Sequence, residues 1–225
     1  NVNCAMSFIS KLRMLLSLGQ GVKGLTQGLS EQTAGPDPLR LFGEWFEQAK
    51  ASGIALPETM TLATASAEGA PSARLVLLKG FDERGFVFFT NYNSQKSAEL
   101  DANPRAALVC HWTVLQRQVR IEGITERTSS DESATYFHTR LRGSQIGAWA
   151  SSQSATLTSV DELQQRVREH EKKFANQPIP LPPFWGGFRV MPQRIEFWQG
   201  RANRLHDRLC YERVNNDWLC RRLYP

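Results

Sequence analysis

Residues 197–208 read FWQGRANRLHDR and hold two aromatics, three arginines, a histidine and an aspartate in twelve positions. A strand buried on one face alternates apolar and polar residues, whereas here an apolar start gives way to a charged run. The pattern predicts a strand that empties into a binding loop. Other cations stand upstream. Arg74 and Lys79 in SARLVLLKG are five residues apart, which on a regular strand turns them to opposite faces, so that one strand serves two sites or leaves one cation in solvent. TNYNSQKS follows a strand and leads into a helix, gathering Thr90, Ser94 and Lys96 near a helix N-terminus, where phosphates bind readily. The Gly-rich phosphate-loop pattern is absent there. Tyr136, Arg140 and Ser144 are spaced i, i+4, i+8 and fall on one stripe if a helix runs that far. From spacing alone that stripe reads first as a packed phenol with two surface residues, and only second as a phosphate clamp.

Hydrolytic and metal-dependent chemistry has no foothold, because the chain contains no GxSxG, no HExxH and no convincing pair of carboxylates. No metal is expected, and His111, His138 and His170 read as ordinary strand and helix residues. Several separate cationic sites of phosphate size point to two phosphorylated small molecules. A nucleic acid would favour a continuous basic stripe interleaved with aromatics, whereas these Lys and Arg are scattered, so no nucleic-acid partner is expected. The net charge of +5 decides nothing by itself.

The 225 residues, 41% of them hydrophobic with twelve Phe and six Trp, suffice for one large globular domain. No apolar run reaches eighteen residues, so no membrane span is expected. Cys4, Cys110, Cys210 and Cys220 show neither CxxC nor zinc-ligand spacing. Cys210 and Cys220 are neighbours across a late hairpin in one reading; free thiols in a reducing, cytoplasmic compartment are the preferred one. The first thirty residues lack Asp and Glu and carry Lys11, Arg13 and Lys23, a mild likeness to an organellar transit peptide. Residues 1–36 are expected to form a flexible tail and 37–225 a single domain.

Asp37 before Pro38 predicts a helix start, with Leu39, Phe42, Trp45, Phe46 and Ala49 on one face until Gly53. MTLATAS, SARLVLLKG and GFVFFTN then read as strands separated by AEGA and DERG, followed by a short helix near 94–102 and the strands AALVCHW and RQVRIEGITER. Capping boxes at Ser129/Glu132 and Ser159/Glu162 open a helical insertion over about 129–176, its last helix mostly solvated. PIPLPP is a linker. FWGGFRVMP, RIEFWQG, RLCYERV and DWLCRRLYP supply the closing strands, with a tight turn at Asn215 and Asn216. The fold class is mainly β with helices (α+β), an antiparallel barrel with inserted and flanking helices.

In order and spacing, RLVLLKG, FFTN followed by SxK, RQVRIEG, YFHTR with SQIGAW, SxQS, FWGGFRV, IEFWQG and RLHDR resemble the pyridoxamine/pyridoxine 5′-phosphate oxidases from about Asp37 to Pro225. The resemblance implies an FMN-binding split β-barrel, assembled as a homodimer with flavin sites at the subunit interface. It implies FMN contacts from Arg74, Leu75, Val76, Leu77, Leu78, Lys79, Phe89, Thr90, Gln95, Lys96, Gln118, Gln153, Ser154, Trp198 and Arg208. Lys79 together with Tyr136, Arg140 and Ser144 is implied at the substrate phosphate, which reverses the order of readings given above for that stripe. Arg204 and His206, with Leu205 between them, match the RxH pair that holds the pyridine ring and carries the catalytic role. The implied reaction takes pyridoxine or pyridoxamine 5′-phosphate and oxygen to pyridoxal 5′-phosphate and hydrogen peroxide. Runner-up readings are a related flavin oxidase for another aromatic substrate, such as a phenazine precursor, and a non-catalytic flavin- or haem-binding module.

Three positions depart from the family pattern. Gln95 stands where an arginine is usual, Leu141 replaces the proline common after the clamp arginine, and GVKG at 21–24 occupies the place of an Arg/Tyr segment that caps the substrate.

Overall fold

The computed structural model describes residues 28–225. Cys4, the acid-free leader and the GVKG segment lie outside the described residues.

The helices are α1 (Glu31–Ala34), α2 (Pro38–Ala51), α3 (Gln95–Ala102), α4 (Ser130–Thr139), α5 (Arg142–Ala150) and α6 (Val160–Lys173). The strands are β1 (Thr59–Ala65), β2 (Pro71–Leu77), β3 (Gly80–Asp82), β4 (Gly85–Asn91), β5 (Arg105–Trp112), β6 (Arg117–Arg127), β7 (Trp185–Gln199), β8 (Asp207–Val214) and β9 (Asp217–Arg222). Along one path the strands hydrogen-bond in the order β2-β1-β5-β6-β7-β4-β3, with β8 on β7 and β9 on β8. The fold is α+β, a curled antiparallel half-barrel sheet with helices. The chain divides into two compact units: the described part of Asn1–Leu62 with Ala107–Gly123 and Pro192–Pro225, and Ala63–Ala106 with Ile124–Met191.

In the first unit, Asp37 caps α2 by accepting from the Leu39 amide at 2.9 Å, and Pro38 takes the position where no N–H is needed. The buried stripe is Leu41, Phe42, Trp45 and Ala49. Trp45 meets Phe197 edge-on at 5.2 Å and Phe42 lies 6.0 Å from Trp112, each such ring contributing about 2–3 kcal/mol through burial. β6 alternates as expected, burying Val119, Ile121 and Gly123 and leaving Gln118, Arg120 and Glu122 half-buried. The Asn215–Asn216 turn joins β8 to β9, with Asn215 at φ 56°. Across that hairpin Tyr211, not Cys210, stands opposite Cys220. The side-chain alternation therefore turns Cys210 and Cys220 to opposite faces, and the described cysteines are free.

Two expectations change in this unit. Order begins before Asp37: Ser30 and Thr33 form a capping box around α1, while Leu29 and Ala34 are buried. A helix of four residues is too short to show periodicity. The two closing strands expected at FWGGFRVMP and RIEFWQG are one, β7. Pro192 falls between Trp185–Val190, paired with β4, and Arg194–Gln199, paired with β8, outside the paired residues of both of those ladders.

In the second unit, α4, α5 and the 174–185 segment bury Phe137, Ile146, Phe174, Ile179 and Trp185 together. Ser129 and Ser159 cap α4 and α6 by accepting from Glu132 and Glu162 amides at 3.1 Å each, and α6 buries no residue. Short β3, overlooked in DERG and its flanks, pairs with β4. Gly85 starts β4 at φ 137°, and a Cβ there would run into the Val190 carbonyl. Gly85→Ala is expected to lower stability by about 3 kcal/mol through combined strain and clash, read as a lower urea midpoint.

Candidate functional site

A cleft of about 470 Å³ opens in the second unit. Its walls include Lys79, Tyr136, Arg140 and Ser144, the four residues expected at a substrate phosphate, together with Phe89, Thr90, Lys96 and Gln153 from the expected cofactor set. The local fold explains the convergence. β4 delivers Phe89 and Thr90, and its exit is locked by Asn91, whose carbonyl accepts from the hydroxyls of Ser94 (2.7 Å) and Ser97 (3.0 Å). That turn starts α3 and folds the Lys96 side chain back, so that its ammonium donates to Gln153 Oε1 (2.7 Å), Thr90 Oγ1 (3.2 Å) and Ser94 Oγ (3.2 Å). Burial, with repulsion from Arg74, pushes Lys96 down to about 8 despite the opposing pull of Glu99. A buried cation held by neutral oxygens is a ready anion site.

The clamp stripe is built differently from its spacing. α4 stops at Thr139, Arg140 is extended at φ −74°, ψ 149°, and α5 restarts after Leu141. The corner is pinned by buried Gln145, whose amide donates to the carbonyls of Phe137 (3.2 Å) and Arg140 (2.9 Å). The Arg140 guanidinium lies 4.8 Å from the Trp185 ring centre, and its buried Nη1 has no hydrogen-bond partner. Burial pushes its pKa down. Tyr136 stacks on Phe89 at 4.2 Å, so the phenol is an aromatic wall as well as a hydroxyl donor.

Leu75, Val76 and Leu77 also line this cleft, whereas Leu78 is buried outside its walls. Arg74 is not among its walls, and β2 ends at Leu77, so the regular strand assumed between Arg74 and Lys79 is not formed. The Arg74 guanidinium pairs with Glu99 at 3.1 Å and donates to Thr64 and Ser72. Gln95 faces the same carboxylate, donating to Glu99 Oε1 at 2.8 Å, while its backbone N–H is taken up by Ser154 Oγ. Gln95 and Ser154 border a second depression of about 560 Å³, with Gln153 common to both. Glu99 escaped the sequence reading because nothing local marks a partner 25 residues from Arg74.

The remaining expected residues lie in the first unit. A 3-10 turn at Ala202–Arg204 carries consecutive left-handed residues, Asn203 (φ 56°) and Arg204 (φ 60°), an uncommon and strained pairing outside glycine. Arg204 and Leu205 are exposed. His206 lies 4.6 Å from the Trp198 ring, and its Nδ1 accepts from the Arg201 amide at 3.2 Å. Arg208 is held by Glu196, a carboxylate only 3% exposed, and by the Tyr224 carbonyl. Gln118 is half-buried on the β6 face that also carries Arg120.

Two family models match the chain: "Pyridoxamine 5'-phosphate oxidase" over residues 46–174 and "Pyridoxine 5'-phosphate oxidase C-terminal dimerisation region" over 185–225. The chain belongs to the pyridoxamine 5′-phosphate oxidase family. A pyridoxine/pyridoxamine 5′-phosphate oxidase of Rubrobacter xylanophilus is 60% identical over 198 residues, covering 88% of this chain and 91% of that protein. One from Psychromonas ingrahamii is 54% identical over 220 residues, covering 98% and 100%. Among solved structures, PhzG of Burkholderia lata in complex with tetrahydrophenazine-1-carboxylic acid matches with a TM-score of 0.84 at 28% identity, covering 90% of this chain and all of that one. An FMN-binding protein of Nostoc punctiforme, 17% identical with a TM-score of 0.67, covers 85% and 100% and shares the fold. No described helix of this family member is long and apolar enough to cross a membrane.

Burial raises the Glu99 pKa, but hydrogen bonds from Ser72, Thr64, Gln95 and Arg74 more than offset it and leave the carboxyl at about 2. A depressed carboxylate stabilises the fold above its ordinary value near 4.5 and loses that contribution as pH falls toward 2. Glu99→Gln is therefore expected to lower the melting temperature at neutral pH and to flatten its decline between roughly pH 4.5 and 2, measured by thermal melts across that range.

Proposed function

We propose that the chain is an FMN-dependent oxidase that converts pyridoxine 5′-phosphate and pyridoxamine 5′-phosphate to pyridoxal 5′-phosphate, using oxygen and producing hydrogen peroxide. The observation that carries this reading is the cleft in which Lys79, Tyr136, Arg140 and Ser144 converge, with a buried guanidinium nitrogen lacking a partner. An orphaned donor of that kind costs stability until a ligand oxygen accepts from it. The relatives named pyridoxine/pyridoxamine 5′-phosphate oxidase, at 54–60% identity, support the same substrate.

The donor set fits FMN. Lys96, Thr90 and Gln153 offer a cation, a hydroxyl and an amide at one end of the cleft, and Leu75–Leu77 with Phe89 offer apolar walls. When bound, FMN supplies the two-electron acceptor for the substrate C4′ carbon and the route to oxygen. The chain's own part is binding, alignment and electrostatics. Lys79 and Arg140 neutralise the substrate phosphate while Tyr136 and Ser144 donate to it. Arg204 holds the pyridine ring in place and stabilises negative charge that develops as two electrons leave C4′. The Arg201 amide occupies His206 Nδ1, which puts the proton of a neutral imidazole on Nε2, the nitrogen left to orient the substrate or relay a proton. Pyridoxine phosphate yields the aldehyde directly, and pyridoxamine phosphate an imine that water hydrolyses with release of ammonia. A homodimer is part of this proposal, supported by the dimerisation-region match and by exposed Leu205 (68%). Free Cys110, Cys210 and Cys220 suit a cytoplasmic setting.

The likeness to PhzG favours one alternative, a flavin oxidase for a phenazine precursor. A substrate without a phosphate would leave Arg140 and Lys79 unanswered. Aerobic incubation of the FMN-loaded protein with pyridoxine phosphate should yield pyridoxal phosphate and peroxide in equal amounts; bound flavin without product would sink the reading. In rapid-mixing experiments Arg204→Ala should slow flavin reduction about 100-fold while FMN affinity stays near that of the wild type. Because Lys96 sits near 8, FMN affinity should fall as pH rises above that value, by up to about tenfold per pH unit. Lys96→Met should bind more weakly at pH 7 and show no such slope, read by flavin fluorescence titration.

A further inference from the structure

Within FWQGRANRLHDR, the roles proposed so far leave the Asp207 carboxylate and the Arg201 side chain without a task. Asp207 opens β8, directly after His206, and its two oxygens point to different segments. Oδ2 accepts from the Leu29 amide at 3.0 Å and lies 3.5 Å from Arg201 Nε. Oδ1 accepts from Arg222 Nη1 at 2.9 Å. Arg222 in turn forks onto both oxygens of Glu31, at 2.9 Å each, and donates to the Leu29 carbonyl at 2.8 Å. The Arg222 fork holds the Glu31 carboxyl down at about 2. Tyr211 adds a bond from its hydroxyl to the Gly35 carbonyl at 2.8 Å. Gly28 passes so close that a Cβ there would lie 3.3 Å from both Asp207 Oδ2 and Arg201 Nη1.

The loop between Trp198 and Asp207 needs such an anchor. Two left-handed residues in succession are held only where the surroundings over-determine them, and the Arg201 amide must stay in place to fix the His206 ring. We infer that Asp207, with Arg222, is a positioning residue: it latches residues 28–31 to the loop bearing Arg204 and His206, and so fixes how those side chains meet the substrate. The inference rests on the substrate-side roles proposed above for Arg204 and His206.

Asp207→Asn keeps the shape but replaces one acceptor with a donor facing donors, and Glu31→Gln weakens the far end at an exposed position. Hydrogen exchange at the amides of residues 201–206 should become at least tenfold faster in both variants. With pyridoxine phosphate, Asp207→Asn should lose about tenfold in kcat/KM, yet cost less than twofold more in a His206→Ala background, since it acts through that ring. Exchange within twofold of wild type in both variants would overturn the latch. Unchanged turnover in Asp207→Asn, or an equal loss in both backgrounds, would overturn its positioning role. An inactive wild-type protein would instead sink the oxidase reading, while the exchange measurement, which needs no turnover, still decides the latch.

Discussion

Sinking a positive charge into a protein without a carboxylate bonded to it is costly, and the second unit does this twice. Among the described residues neither Lys96 nor Arg140 forms an ion pair; one is held by neutral oxygens, the other by an aromatic face. Other arginines are treated differently. Arg74 meets Glu99, Arg189 meets Asp82 and Glu132, and Arg208 meets Glu196. Those three arginines are each answered by a carboxylate, whereas Lys96 and Arg140 are not. Much of the local architecture serves that distinction: Asn91 winds the turn that buries Lys96, Gln145 pins the corner that aims Arg140, and Trp185 gives the guanidinium a surface to lie on.

Elements with a strong local signature were legible in the sequence. The Asp-Pro start of α2, the serine caps of α4 and α6 and the alternation of β6 all depend on residues within a few positions of one another. What escaped was set by distant partners. The two strands expected around Pro192 are one, because that proline falls between the stretch of β7 that pairs with β4 and the stretch that pairs with β8. The clamp stripe assumed an unbroken helix; the chain bends at Arg140 and still brings all three side chains to one cleft, because the corner is fixed by a glutamine that no spacing rule selects. The family resemblance named Arg74 and Gln95 as cofactor contacts, but it carried no sign that both face Glu99.

The two halves of the expected machinery rest on different kinds of support. In the cleft, Phe89, Thr90 and Tyr136 come from regular elements and Arg140 from a corner pinned by Gln145, all beside an aromatic core. The Arg204–His206 pair rides on a strained turn, fastened at its base by backbone pairing between Gln199 and Asp207 and by a ring contact. Such turns persist only by virtue of their surroundings, so distant side chains have leverage there that they lack in the cleft.

The bend at Arg140 and Leu141 bears on the conformational freedom this chain must surrender on folding. Arg140 has the extended backbone that a residue before proline prefers, and Leu141, at φ −56°, has the angle a pyrrolidine ring would impose. The joint thus has the shape a proline would impose, although a leucine, 82% exposed, occupies it. Holding that bend with leucine means freezing rotations that proline never possesses in the unfolded chain, so roughly 0.4–1 kcal/mol of stability is forgone at this corner.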